Sequence, residues 1–133
     1  MFERREKILF RHCDPAGIVF FPRYFEMVND HVEAFFAEIL HWPFEVMLAD
    51  GGLPTRAIST GFTAPSRHGD VLTLRLELRR LGDTSLEYRM TASAGDELRF
   101  ETEATLVHID RQGRPSPWPE TIRDRIQTWK DTT

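Results

Sequence analysis

The stretch PRYFEMVNDHVEAFFAEIL, residues 22–40, is the longest amphipathic segment of the chain. Its apolar side chains recur every three or four positions, which is the spacing of one helix face. Arg23, Glu26, Asp30 and Glu33 fall on the opposite side. Proline at the first position suits a first helical turn, because its missing N–H costs nothing there. The spacing predicts a helix with one broad buried stripe. Its expected buried residues are Phe21, Tyr24, Phe25, Val28, Val32, Phe35, Phe36 and Ile39.

Beyond the turn-rich stretch 50–54, the period of the pattern becomes two. Apolar and polar residues alternate over 72–79 and again over 86–93, as in half-buried strands. Gly82-Asp83-Thr84 lies between these strands and predicts a hairpin, and Ala94-Gly95-Asp96 predicts the next turn.

Four further elements complete the expected order. Residues 3–11 predict a first strand with Ile8 and Phe10 on one face, and 56–64 predict another strand. Residues 97–109 predict a strand with a bulge near Leu106-Val107, where the alternation slips. An amphipathic helix is expected over about 119–129. One antiparallel sheet with the long helix on one face satisfies this order, so we expect an α+β fold.

The 133 residues are enough for one domain with one core, and we expect residues 1–133 to form a single domain. The net charge of −4 argues mildly against nucleic acid or an anionic membrane as main partner. The single cysteine, Cys13, excludes an intramolecular disulfide and fits a reducing compartment. No apolar run is long enough for a membrane span, and no signal peptide is evident. We therefore expect a cytoplasmic protein.

The loop before the long helix is the most informative part of the sequence. Asp14 lies about one turn before the helix start, next to the turn formers Pro15 and Gly17. A helix start offers unpaired N–H groups and partial positive charge, which can hold a polarised carbonyl oxygen. A carboxylate opposite can attack that carbonyl or activate a water. Gly17 and the apolar Ile18 and Val19 suit close approach of a ligand. The residues alone leave open that Asp14 is simply a turn or capping residue.

Asp14-Pro15-Ala16-Gly17-Ile18-Val19-Phe20-Phe21-Pro22-Arg23-Tyr24 closely resembles the signature of the 4-hydroxybenzoyl-CoA thioesterase branch of hotdog-fold thioesterases. The stretch 62–72, FTAPSRHGDVL, is similar to the family's entry into its central strand. The resemblance implies a hotdog fold, a curved antiparallel sheet wrapped around the long helix. It implies an acyl-CoA thioesterase in which Asp14 is nucleophile or general base and the backbone amide near Phe21 polarises the thioester carbonyl. It also implies a homodimer or homotetramer with sites at the dimer interface.

Two parts of the chain bear on the substrate. Several relatives carry basic residues for the CoA phosphates in the hairpin where this chain has Asp83. Arg79 and Arg80 precede that hairpin and are candidates for the same contact, or are solvated strand residues. An acyl-carrier-protein thioester therefore stays open beside acyl-CoA. Asn29 falls at the edge of the apolar stripe, where it either contacts an acyl substituent or satisfies a backbone group.

Other chemistries receive less support. The neighbours His12 and Cys13 point to opposite faces of an extended chain, which disfavours a cysteine nucleophile. The histidines show no metal-ligand spacing, so we expect no metal and no cofactor. Two alternatives remain: a hotdog hydratase or dehydratase, which would pair Asp14 with His12, and a non-catalytic acyl-CoA-binding protein.

Overall fold

The long helix of the computed structural model, which describes residues 1–132, lies against one face of an antiparallel sheet. The helices are α1 (Pro22–Glu38), α2 (Phe44–Met47) and α3 (Glu120–Thr132). The strands are β1 (Phe2–Lys7), β2 (Gly51–Gly52), β3 (Thr55–Phe62), β4 (Val71–Leu81), β5 (Ser85–Ala94), β6 (Glu97–Val107) and β7 (Ile109–Asp110). Among the helices of residues 1–132, none is both long enough and apolar enough to cross a membrane.

The main sheet has five strands in the order β1-β4-β5-β6-β3, and every neighbouring pair is antiparallel. The hairpins β4–β5 and β5–β6 turn where the sequence predicts, at 82–84 and 95–96. β2 and β7 form a separate two-stranded ribbon. β3 forms one edge of the sheet, and all of its residues except the half-buried Thr60 are exposed.

The apolar stripe of α1 packs against the inner face of the sheet. Phe35 and Phe36 are 0% and 1% exposed, and the alternating leucines of β4 face them from the sheet. The expected stripe is confirmed for Tyr24, Val28, Val32, Phe35 and Phe36, whereas Phe25 and Ile39 are only half-buried. Phe21 is 55% exposed, because it precedes the helix at the mouth of a cleft and is not covered by the sheet. The buried residues of α1 are Tyr24, Met27, Val28, His31, Val32, Phe35 and Phe36.

The first strand ends earlier than the alternation predicts. β1 stops at Lys7, and a single 3-10 turn over Phe10–His12 follows. Ile8 is fully buried whereas Phe10 is 80% exposed, so the two side chains do not share a face. The turn reverses the chain towards the helix start, and the change in direction rotates Phe10 into solvent.

The bulge expected near Leu106-Val107 lies elsewhere. β6 is in continuous register with β5 from Phe100 to Val107, and its extra residue is Arg99, between Phe100 and Leu98. β3 and β4 have similar irregularities, which leave Arg56 and Arg79 without a direct partner. Each of these bulges therefore places an arginine where the ladder is interrupted.

His31 connects β1 to α1 inside the core. Its ring is 2% exposed, and Nε2 donates to the Phe2 carbonyl at 2.9 Å. Burial lowers the pKa of His31, and the Phe2 hydrogen bond only partly opposes this. Burial likewise lowers the pKa of His12, with Arg11 acting in the same direction. Both rings therefore favour the neutral form in the folded chain.

We predict that the free energy of unfolding falls as the pH drops through 6.5, the ordinary histidine pKa. The unfolded chain binds protons at these histidines more readily than the folded chain, so acid favours unfolding, by at most about 1.4 kcal/mol per proton and pH unit. His31→Gln keeps a donor for the Phe2 carbonyl but does not titrate. Denaturant unfolding at several pH values should show a shallower decline in this variant. Equal declines in both proteins would contradict the assignment.

Candidate active site

Asp14 lies in a tight turn that follows the 3-10 turn. Its N–H donates to the Ile18 carbonyl, and its own carbonyl accepts from the Gly17 N–H, both at 2.9 Å. Gly17 has a φ of +80°, a conformation that favours glycine. The Asp14 Oδ1 accepts from the Ala16 N–H at 2.9 Å. Within residues 1–132 the Oδ2 accepts no hydrogen bond, so half of this half-buried carboxylate is available to a ligand.

The two arms of this turn are held together and to a neighbouring segment. Cys13 and Val19 form an antiparallel bridge, and the Phe20 N–H donates to the His12 carbonyl at 2.9 Å. Val19 also donates to the Ser66 carbonyl at 2.9 Å. The turn therefore has a backbone framework on both sides, and the position of the Asp14 carboxylate is defined by main-chain contacts.

The start of α1 presents a single unpaired donor. Pro22 has no N–H, and the amides of Arg23 and Tyr24 donate back to the carbonyls of Phe20 and Phe21 at 2.8 and 3.0 Å. The Phe21 N–H donates no hydrogen bond to any atom of residues 1–132. The partial positive charge of a helix start acts at this amide. It can therefore donate a hydrogen bond to a polarised carbonyl oxygen of a ligand.

An apolar cleft of about 460 Å³ opens beside the Phe21 amide. The Phe62 ring forms part of its wall, and its centroid lies 5.8 Å from that of Phe21 and 5.9 Å from that of Tyr24. Phe21 and Phe62 remain 55% and 47% exposed, so both rings offer apolar surface to a ligand or a partner. The cleft is lined by Ile18, Val19, Phe21, Tyr24, Phe62, Thr63, Ala64 and Pro65.

Asn29 lies in a second cleft of about 270 Å³, together with Phe25, Val28 and Ile58. It is eight positions beyond Phe21 along α1, which corresponds to about 12 Å. The exposed Asn29 side chain thus does not line the cleft at the Phe21 amide. It faces the open groove between α1 and the edge strand β3.

Arg79 and Arg80 lie at the opposite end of the sheet from Asp14. The Val71 end of β4 adjoins the Asp14 region, because the Ile8 N–H donates to the Asp70 carbonyl at 2.7 Å. Eight or nine strand residues separate Val71 from the two arginines, about 26 Å or more. One chain therefore does not bring Arg79 and Arg80 to Asp14. Arg79 instead lies beside Glu77 and Glu87.

His12 and Cys13 are engaged in holding the turn. The Nδ1 of the buried His12 accepts from the Leu9 N–H at 2.8 Å, and the Cys13 Sγ lies 3.6 Å from the Leu9 carbonyl. His12 and Asp14 share no hydrogen bond in the described residues 1–132. In the same range, no group of three His, Cys, Asp or Glu side chains is arranged to hold a metal ion.

The sequence did not point to three residues that support the site. Ser66 is fully buried, and its carbonyl fixes Val19. Asp70 and Arg99 form an ion pair with 2.8 Å between Oδ2 and Nη1. Asp70 lies inside the 62–72 stretch that resembles the family, but its partner on β6 is distant in sequence.

Solved structures with the same architecture are numerous. A 1,4-dihydroxy-2-naphthoyl-CoA thioesterase from Synechocystis is 21% identical, with a TM-score of 0.87 over 95% of both chains. A gentisyl-coenzyme A thioesterase is 22% identical, with a TM-score of 0.85 over 93% of this chain and 98% of the other. A Staphylococcus aureus protein solved in complex with CoA is 18% identical, with a TM-score of 0.91 over 98% of this chain and 84% of the other.

These likenesses confirm the hotdog fold that the sequence resemblance implies. A search of curated proteins by sequence gave no match. The family model for the Thioesterase-like superfamily matches residues 8–126, a range that includes the Asp14 turn, α1 and all strands of the main sheet except β1. The chain therefore belongs to the Thioesterase-like superfamily.

Proposed function

We propose that this protein hydrolyses acyl-CoA thioesters, with Asp14 as nucleophile or general base and the Phe21 amide as oxyanion donor. The observation that carries this proposal is the single free amide at the start of α1. It belongs to Phe21, which lines an apolar cleft, and the partly free Asp14 carboxylate lies in the turn that leads into the same helix. The family assignment supports thioester chemistry in general.

In this mechanism the acyl group lies in the cleft and its carbonyl oxygen accepts from the Phe21 N–H. Charge that develops on this oxygen is stabilised by the amide and by the helix start. In the general-base route, Asp14 removes a proton from water, the water oxygen bonds to the carbonyl carbon, and the carbon–sulfur bond breaks as the leaving thiolate takes up that proton. In the nucleophilic route, an Asp14 carboxylate oxygen bonds to that carbon, the carbon–sulfur bond breaks and the thiolate leaves and takes up a proton. Water then cleaves the mixed anhydride, which releases the acid and restores the Asp14 carboxylate.

The apolar wall defines what the site accepts. Phe21, Tyr24 and Phe62 surround the cleft with rings, which suits an aromatic or aliphatic acyl group. The CoA complex of the Staphylococcus aureus relative supports CoA as the thiol carrier. Acyl carrier protein is the other thiol carrier under this proposal. The rates of thiol release from the CoA thioester and the carrier-protein thioester of the same acyl group distinguish the two.

The same proposal includes a homodimer formed through β3. This edge strand has free backbone groups on one side, and Ile58 and Phe62 on its inner face are 46% and 47% exposed. A second β3 pairing antiparallel across a two-fold axis would satisfy those groups and cover both side chains. The apolar groove between α1 and β3 would be covered at the same time.

In this dimer, Arg79 and Arg80 would lie nearer to the partner's cleft than to the cleft of their own chain. Thr55, Leu106, Leu86 and Leu81 line up across the sheet, so the arginines lie at the Thr55 end. Antiparallel pairing sets that end of the partner beside the Phe62 end of this chain. The partner's Arg79 and Arg80 would then lie at the same end of the combined sheet as this chain's cleft, where they can bind CoA phosphates.

We predict that Asp14→Asn keeps the fold and loses hydrolysis by about 100-fold or more. The asparagine oxygen still accepts from the Ala16 N–H, so the free energy of unfolding should change by less than about 0.5 kcal/mol. Asp96→Asn, in the exposed turn between β5 and β6, is the matched control. Thiol release across aromatic, short, medium and long acyl-CoAs measures the effect. Turnover of Asp14→Asn at the wild-type rate would reject the proposed site.

We predict separately that Ile58→Glu converts a dimer into a monomer. Two charged side chains near the two-fold axis would repel each other and remove apolar contact. Val46→Glu, at a residue of α2 that is 54% exposed, adds the same charge away from β3. Light scattering after size-exclusion chromatography reports the mass of each variant, with circular dichroism as a check on folding. A folded Ile58→Glu protein of dimeric mass would contradict pairing through β3.

A further inference from the structure

The bulge in β6 directs one arginine out of the regular sheet. Ala92 pairs with Phe100 and Ser93 pairs with Leu98, so Arg99 is left without a partner on β5. A bulge re-aims the side chain of its extra residue. The Arg99 side chain is only 12% exposed, which is low for a cation at the end of a strand.

Arg99 contacts the segment 63–70 through its side chain. The Nη1 donates to the Pro65 carbonyl at 3.1 Å, to the Ser66 Oγ at 3.1 Å and to the Asp70 Oδ2 at 2.8 Å. The hydrogen bond from Arg99 lowers the pKa of Asp70, and the hydrogen bond from the Arg67 N–H lowers it further. A single guanidinium nitrogen thus joins the middle and the end of the segment.

The main chain of Arg99 holds the beginning of the same segment. Its carbonyl accepts from the Thr63 N–H at 2.9 Å and from the Ala64 N–H at 3.4 Å. The segment therefore meets Arg99 at several points along its length. Its conformation therefore depends on this residue of β6 as well as on the short-range hydrogen bonds between Arg67 and Asp70.

The segment 63–70 in turn supports the candidate active site. Thr63, Ala64 and Pro65 line the cleft beside the Phe21 amide. The Ser66 carbonyl accepts from the Val19 N–H, two residues before Phe21, and Arg67 bridges to Ile18. Any shift of the segment is thus transmitted to the turn that holds Asp14 and to the start of α1.

We propose that Arg99 is a positioning residue for catalysis, which fixes segment 63–70 and through Val19 the geometry of Asp14 and the Phe21 amide. The inference rests on the proposed thioesterase function. Arg99 itself does not touch the reacting atoms. Its role is to keep the carboxylate and the amide aligned, since a displacement of about 1 Å can cost about 100-fold in rate.

Arg99→Met tests this inference, because it keeps the length of an apolar stem and removes the three donated hydrogen bonds. Arg89→Met is the matched control. Arg89 forms a comparable ion pair with Glu101 at 2.8 Å, but does not contact segment 63–70. We expect kcat to fall by about 10- to 100-fold in Arg99→Met and by less than about 2-fold in Arg89→Met. Arg99→Lys should recover part of the loss, since it restores the charge beside Asp70.

Amide hydrogen exchange in the ligand-free protein gives a readout independent of hydrolysis. We expect faster exchange of the Val19 amide in Arg99→Met, with unchanged exchange of the Met90 amide in the central strand β5. Arg89→Met should leave the Val19 amide as in the wild type. This pattern separates a local positioning role from a general loss of stability.

Three results would overturn the inference. One is Val19 exchange in Arg99→Met at the wild-type rate. Another is equal loss of kcat and of stability in Arg99→Met and Arg89→Met, which would indicate a merely structural role. The last is a wild-type protein that releases no thiol from any acyl thioester, which rejects the proposed function and the catalytic role together. The exchange pattern of Val19 still shows in that case whether Arg99 holds the turn.

Discussion

The apolar stripe of α1 is covered by the inner face of the sheet, and the position of the candidate site follows from that contact. Burial of a side chain as large as Phe35 or Phe36 contributes about 1.5–3 kcal/mol, and seven residues of α1 are buried. The combined free energy of burying these side chains determines the direction of the helix axis on the sheet and which face of the helix is turned towards it. The Phe21 amide is then held at one end of the sheet, and the chain from β1 must turn sharply to reach it. Asp14 occupies that turn.

The long periodic elements were predictable from sequence because their pattern is repeated many times. The stripe of α1 and the alternation in β4 and β5 each involve several turns or pleats, so a single exception does not hide the period. The predictions are wrong where the local structure depends on a single residue. Phe10 follows the parity of Ile8 but lies in a 3-10 turn. Arg99 is an extra residue that leaves the inward alternation from Phe100 to Leu106 intact, so the apolar pattern does not reveal the bulge.

The candidate site likewise contains some residues that the local sequence predicts and others that it does not. Asp14, Gly17, Ile18, Val19 and Phe21 are contiguous, so local turn chemistry and the start of the helix predict their grouping. The placement of Arg79, Arg80 and Asn29 depends on strand order and helix length, which a local pattern does not contain. The support of the turn by Ser66, Asp70 and Arg99 crosses from one strand end to another. A contact of this kind requires the three-dimensional structure.

The outer face of the sheet and its β3 edge differ in what a second chain would gain from binding there. On the face away from α1, Arg75 pairs with Glu3 and Arg89 with Glu101, so this face presents mainly charged and polar side chains and little apolar surface.

Along β3 the opposite holds, because the Phe62 ring is half exposed while it contacts Phe21, Tyr24 and Phe25. That ring lies on the open edge strand and also forms part of the wall of the cleft. Covering it with a partner would remove water from the cleft as well as from the interface. In that arrangement the apolar surface that favours association is also the surface that excludes water from the acyl group.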